Sequence, residues 1–350
     1  MPKAKTIDKQ TIIKGLRFTV IVSLLFSAGI IFYTIDLEAL DKLIDKIKYR
    51  YLLYMLLVMM TNWLFAGLRL KLLVTTIGDT ISLMDSIVVY LGGSFVSFVT
   101  PFASGGGPYQ VYFLHKKGVN VGKSSTVIVI QFVLRLFFFG TLTPIFFLFF
   151  SNQISAGAVP NYIFYFAFGL GMVISAGIII LTLIPEVMDK LISLILSINK
   201  LNKFLKNNYT AKKYLVKARK ELNEFRESLL ILSKNKFRLF VASIYTIIYW
   251  SLMFLIMPLI LKGMGLEPDF YKAYIMQTII YLIIPYMPTP GASGIAELGF
   301  ASLFVAFIPK SIVGIVTFGW RLYTFYLILL VGGFIAIYEI NRSTGDEEND

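Results

Sequence analysis

Thr100-Pro101-Phe102-Ala103-Ser104-Gly105-Gly106-Gly107-Pro108-Tyr109-Gln110 closes an apolar run, and its glycine, proline and polar side chains are too dense for a membrane helix to continue through them. The chain writes the phrase again as Thr289-Pro290-Gly291-Ala292-Ser293-Gly294, identical at five of six positions. An arginine follows each copy inside an apolar stretch: Arg135 after the first, Arg321 after the second. Two copies of one interrupted hydrophobic pattern predict an internal duplication, and the fold follows from it.

Composition supports this. With 350 residues, 57% of them hydrophobic and 15% charged, and a mean hydropathy of +0.75, the chain is a multi-pass membrane protein and not a soluble domain. Runs of about 20 apolar residues predict helices crossing a hydrocarbon core roughly 30 Å thick, where barrel strands would alternate over shorter segments. There is no cysteine and a single histidine, His115, which excludes disulfides, thiolate chemistry and multi-histidine metal clusters. No metal or cofactor is expected. The net charge of +13 lies in loops and flanks, where it attracts anionic lipid surfaces and sets topology.

In chain order, spans are expected over about 17–34, 51–73, 81–99, 123–150, 162–184, 237–261, 271–287 and 310–340, with an interfacial amphipathic helix over 37–48. Half-length helices are expected at 108–118 and 293–308. The fold class is thus all-α, a polytopic helical membrane protein with inverted internal repeats and two broken or re-entrant half-helices. One transmembrane domain spans 1–340, with repeat one over about 81–150, a basic cytoplasmic insert over about 186–236 and repeat two over about 270–340; residues 341–350 read as an acidic disordered tail. Counting crossings from a cytoplasmic N-terminus puts the first Thr-Pro motif near the outer face and the second near the inner face, with both termini cytoplasmic. Inverted repeats with broken helices are a transporter pattern.

Non-helical backbone in a bilayer is tolerated only where protein or a wet cavity receives its polar groups. Gly105, Gly106, Gly107, Gly291 and Gly294 permit the turns, Pro101 and Pro290 follow Thr100 and Thr289 to stop the helices, and Ser104 or Ser293 is expected to cap the next one. Arginine at a helix centre costs about 2.5–3.5 kcal/mol on insertion scales, so Arg135 and Arg321 need compensation. Gln131 and Thr317 each sit four residues before an arginine, on its helix face, and Glu297 is the carboxylate of the second short segment. The reading is a polar cavity in which Arg135 and Arg321 meet a lipid phosphate, Glu297 pairs with one of them or with a cationic head group, and Gln131, Gln110, Ser104 and Ser293 add polar contacts. The competing reading is a buried Arg-Glu pair that only fixes packing. His115, beside Lys116 and Lys117, belongs to a solvated turn, and no nucleotide-binding loop or serine elbow is present.

TPFASGGGPYQVYFLHKKGVNVGKSS over residues 100–125, followed by Arg135, and MPTPGASGIAELGFASLF over residues 287–304, followed by Trp320-Arg321-Leu322, resemble the lysylphosphatidylglycerol synthase transmembrane family, also called flippase-like domain proteins. The resemblance implies an inner-membrane protein. In two-domain members a helical half moves aminoacylated phosphatidylglycerol between leaflets, lowering surface charge and giving resistance to cationic antimicrobial peptides, and a soluble half makes that lipid from charged transfer RNA. This chain is expected to be a stand-alone member without the soluble half. The expected function is therefore a lipid translocase for an anionic or aminoacylated phospholipid such as lysyl-phosphatidylglycerol. Alternatives are a phosphatidylglycerol lysyltransferase or its membrane subunit, which would bring transfer RNA as a partner, and a polyprenyl-linked glycan transporter or a scaffold. Expected partners are a membrane phospholipid, an anionic lipid surface, a separate lipid-modifying enzyme and further copies of the chain.

Overall fold

The computed structural model describes residues 21–22, 24–33, 47–154, 169 and 209–348, and every described element is helical. The expected interfacial helix over 37–48 and the expected span over 162–184 lie outside the described residues except at 47, 48 and 169, and the first part of the basic insert lies outside them too. Helix α1 covers Leu24–Tyr33. Helix α2 (Arg50–Thr76) leads to α3 (Leu83–Val99), the first break at Pro101–Ala103, the short α4 (Gly106–Lys116) and α5 (Val121–Ile154). Helix α6 (Tyr209–Lys234) and α7 (Lys236–Gly263) then bring the chain to α8 (Phe270–Ile283), the second break at Pro290–Ala292 and the short α9 (Ile295–Phe304). The last crossing joins α10 (Lys310–Arg321) to α11 (Leu327–Glu348) through a π turn at Leu322–Tyr326. Among the described residues, α2, α5, α7 and the α10–α11 unit are long and apolar enough to cross a membrane. Their outward faces carry side chains such as Leu330, Phe334 and Phe240, which suit lipid and not water. The chain is an all-α, multi-pass membrane protein.

Both halves repeat one order of elements: a helix, a Thr-Pro break, a short helix and a long one. Each leading helix also opens on a side-chain cap. The Ser82 hydroxyl accepts from the Asp85 N–H at 2.9 Å to start α3, and the Asp269 carboxylate accepts from the Lys272 N–H at 3.1 Å to start α8. Helix α3 packs on α11 and α8 packs on α5, so the first helix of each half rests on the last helix of the other. The α3–α11 approach is close enough that a Cβ on Gly332 would stand 2.5 Å from the Leu91 carbonyl oxygen, as expected where membrane helices pack without water. Helix α7 is the central post. It packs along α2, receives a 2.7 Å hydrogen bond from Asn62 Nδ2 to the Tyr249 carbonyl, and another of 2.7 Å from Gln277 Nε2 to the Phe254 carbonyl.

Two expectations change. The two breaks do not lie near opposite faces: the Phe102 N–H donates to the Met287 carbonyl at 3.2 Å. Helix length explains this. The 17 residues of α3 and 14 of α8 reach about 25 and 21 Å at 1.5 Å per residue, short of a hydrocarbon core of roughly 30 Å, so both helices stop inside it. The acidic tail is not separate from the last helix, because α11 runs on to Glu348 with no proline to stop it. Helix α6, from the basic insert, is docked on the start of α5: the Glu221 carboxylate accepts from the Gly122 N–H at 2.7 Å, and the Thr126 hydroxyl donates to the Phe225 carbonyl at 3.0 Å.

Candidate functional site: a cavity between the two breaks

The two motifs fold alike. At the third motif position Phe102 has φ 55° and Gly291 φ 61°, and at the fourth Ala103 has φ 53° and Ala292 φ 51°. Left-handed backbone at both positions turns the chain sharply after the proline. In the first copy serine does not cap the next helix. Ser104 donates back to the Pro101 carbonyl at 2.9 Å, and the cap is instead the Thr100 hydroxyl, which accepts from the Gly105 N–H at 3.0 Å while donating to the Val96 carbonyl at 2.8 Å. In the second copy Gly294 precedes α9 at φ 87°, and the Glu297 carboxylate accepts from the Gly294 N–H at 2.8 Å. A carboxylate three residues into the helix is favoured there because its hydrogen bond is charge-assisted and because it meets the positive end of the helix dipole.

Between the breaks lies a cavity of about 330 Å³, walled by α2, α3, α4, α5, α7, both Thr-Pro turns and the π turn. Of the residues expected from the sequence, Arg135, Gln131, Gln110, Gly106, Gly107, Thr289 and Gly291 line it. Arg321, Glu297, Ser104, Ser293, Thr100, Pro101, Gly105, Pro290 and Gly294 are not on its wall. The two arginines that followed the two motifs therefore have different fates.

Arg321 is 3% exposed, and its Nε donates to Glu297 Oε1 at 2.9 Å while Nη2 donates to the Gly291 carbonyl at 3.2 Å. Its guanidinium also lies 4.4 Å from the centre of the Phe325 ring. Glu297 is fully buried, so this ion pair is closed off from the cavity and holds the second break to α10. The π turn that follows Arg321 supplies Phe325, which fills the space where a Cβ on Gly291 would stand, 2.5 Å from its ring.

Arg135 has no such partner. Its buried Nε makes no hydrogen bond among the described residues, and its guanidinium stands 5.9 Å from the ring centres of Phe132 and Trp250. A second arginine joins it. Arg69, on α2, is 7% exposed; it donates from Nη1 to the Thr246 hydroxyl at 3.2 Å and from Nη2 to Gln131 Oε1 at 3.3 Å, and lies 5.3 Å from the centre of the Tyr249 ring. Tyr249 in turn shares a 2.9 Å hydrogen bond with Tyr90. Arg69 Nε, Gln131 Nε2, Thr289 Oγ1 and the Tyr281 hydroxyl are buried polar atoms without a hydrogen-bond partner among the described residues, all in side chains on this wall. Arg69 and Arg135 are the only charged side chains lining the cavity among the described residues, and both are cationic.

Arg69, Tyr90, Tyr249, Trp250 and Tyr281 were not expected from the motifs. Arg69 carried a usable signal: seven residues of α2 follow it, about 10 Å of helix, so it is set too deep to reach the helix end easily. The tyrosines carried none, since Tyr is common throughout an aromatic-rich membrane chain.

His115 stays outside the cavity, in the last turn of α4, with Nδ1 3.1 Å from the Val119 carbonyl oxygen. Among the described residues no group of acidic, histidine or cysteine side chains is arranged to hold a metal ion.

The family described as the lysylphosphatidylglycerol synthase TM region matches residues 20–332, which takes in both breaks, the cavity and every wall helix. The chain belongs to this family. Over 334 residues it is 28% identical to a UPF0104 membrane protein of Archaeoglobus fulgidus, covering 93% of this chain and 97% of that one. It is also 23% identical over 325 residues to the UPF0104 membrane protein PH1989 of Pyrococcus horikoshii, covering 91% and 94%. No solved structure matches. Both relatives match this chain over more than nine-tenths of their length, and the family match takes in every residue of the cavity wall.

Proposed function

We propose that the chain is a lipid translocase whose central cavity receives the phosphate of a phospholipid head group. The observation that carries this reading is the pair Arg69 and Arg135 on one intramembrane wall that has no carboxylate among the described residues. Two guanidinium groups placed so deep are costly unless an anion completes the site, and intramembrane charges mark substrate pathways. The first four N–H groups of a helix lack intrahelical acceptors, and α4 starts at this wall with Gly106 and Gly107, offering a phosphate backbone donors as well. The first helix of each half packs on the last helix of the other, an arrangement that suits rocking around a fixed site, as in transporters built from inverted repeats. The cell membrane with cytoplasmic termini is the setting this reading assigns, because the described insert helix α6 is rich in lysine.

The test is leaflet exchange of a fluorescent phosphatidylglycerol in vesicles holding the purified chain. Arg135→Ala and Arg69→Ala are each expected to slow exchange by at least about tenfold, the loss of one charge-assisted phosphate contact. Exchange at the wild-type rate in both variants would remove the cavity from the transport path.

A further inference from the structure

We infer that the cavity selects anionic phosphate head groups and rejects aminoacylated, cationic ones, an inference that rests on the translocase reading above. Lysyl-phosphatidylglycerol carries ammonium groups beside its phosphate, and an ammonium buried next to two guanidinium groups needs either a carboxylate or an open aromatic face. Among the described residues the wall offers no carboxylate, and three of its aromatic rings already stand against the arginines. Glu297, the carboxylate of the second short segment, is fully buried and bound to Arg321 and to the Gly294 N–H, off the cavity wall. Tyr249 lies against Arg69, and Phe132 and Trp250 lie against Arg135.

The polar atoms that remain favour an anion. Arg69 is more than nine-tenths buried with its Nε unsatisfied, and the unsatisfied Gln131 Nε2 and Tyr281 hydroxyl are donors as well. Donors outnumber acceptors because Gln131 Oε1 is already taken by Arg69. A volume of about 330 Å³ is at the small end for ligand pockets, suited to a phosphate with a short polyol. Like-charge contact in such a site costs several kilocalories at an effective dielectric near 20, so discrimination of at least about tenfold against a cationic head group is expected.

The experiment uses the full chain in vesicles of phosphatidylcholine doped separately with fluorescent phosphatidylglycerol, phosphatidylcholine or lysyl-phosphatidylglycerol. Phosphatidylglycerol is expected to exchange at least about tenfold faster than lysyl-phosphatidylglycerol, with phosphatidylcholine between them. Lysyl-phosphatidylglycerol exchanging as fast as phosphatidylglycerol would overturn the selectivity and leave the translocase standing. No protein-dependent exchange of any of the three would instead overturn the translocase itself. Free glycerol phosphate, added at the concentration of the labelled phosphatidylglycerol, is expected not to slow its exchange, and full inhibition there would assign the site to a soluble phosphate. Gln131→Glu places a carboxylate at Arg69 and is expected to reverse or erase the preference, whereas Gln131→Met, of similar size and neutral, is expected to keep it. If both variants fold, as judged by a single monodisperse peak in detergent, and both keep the wild-type preference, the charge argument fails.

Discussion

The two Thr-Pro breaks share a sequence and a backbone path, yet one is open and the other locked. Pro101, Phe102, Ala103 and Ser104 are exposed, and the first break is held by hydrogen bonds within its own turn, the Thr100 hydroxyl among them, and by a backbone bond to Met287. At the second, Ala292, Ser293 and Gly294 are buried and the loop is clamped by the Arg321–Glu297 pair and the Phe325 ring. The motif threonines diverge in the same way: Thr100 is spent within its own loop, while Thr289 lines the cavity with Oγ1 unbonded among the described residues. Repetition of a motif therefore sets a conformation and leaves its chemical use to the surroundings. One arginine became a staple, and the other stands on the cavity wall with its Nε unbonded among the described residues.

This contrast can be broken most forcefully at the staple. Glu297→Ala leaves Arg321 as a buried, unpaired charge and is expected to destabilise the fold by about 3–5 kcal/mol, whereas replacing both residues by methionine recovers most of the loss; thermal unfolding in detergent reads both. Little change in the single variant would mean that the second break is not held by charge. Next comes Gly291→Ala, expected to cost about 1–3 kcal/mol because the new methyl meets Phe325 at a left-handed backbone position. In the open break Gly107→Ala, whose methyl would meet only Ile128 at 3.6 Å, is expected to leave stability unchanged or slightly raised and to slow lipid exchange by filling the cavity. Arg135→Ala is expected to shift stability by no more than about 1 kcal/mol, since it loses only ring contacts, even as it slows exchange. A loss as large as that of the Glu297 variant would make Arg135 a second staple. The smallest effect is expected at Phe102→Gly, which relieves a left-handed phenylalanine worth about 1–2 kcal/mol and gives back about half of it as chain entropy.

Reading the chain alone already located the helical class, the duplication, both breaks, the short helices and the intramembrane arginines. Hydropathy sees a span because water exclusion acts on each residue separately, and proline or glycine breaks a helix through its own geometry. Arg69 was legible in principle from its depth in α2, but the charge seemed close enough to the helix end to pass for a flank. The staple was legible only as one of two readings and the depth of the two breaks was not, since Glu297 is 24 residues and a loop away from Arg321 and nothing local says whether it faces Arg321 or the cavity.

What the sequence by itself determined is where the backbone must leave the helix and which side chains are too polar for lipid. Tertiary structure alone decided which of those polar groups meet each other and which remain to meet a ligand. The physical reason is that the cost of a buried charge is a property of the residue, while its compensation is a property of its neighbours, and these come from helices far apart in the chain.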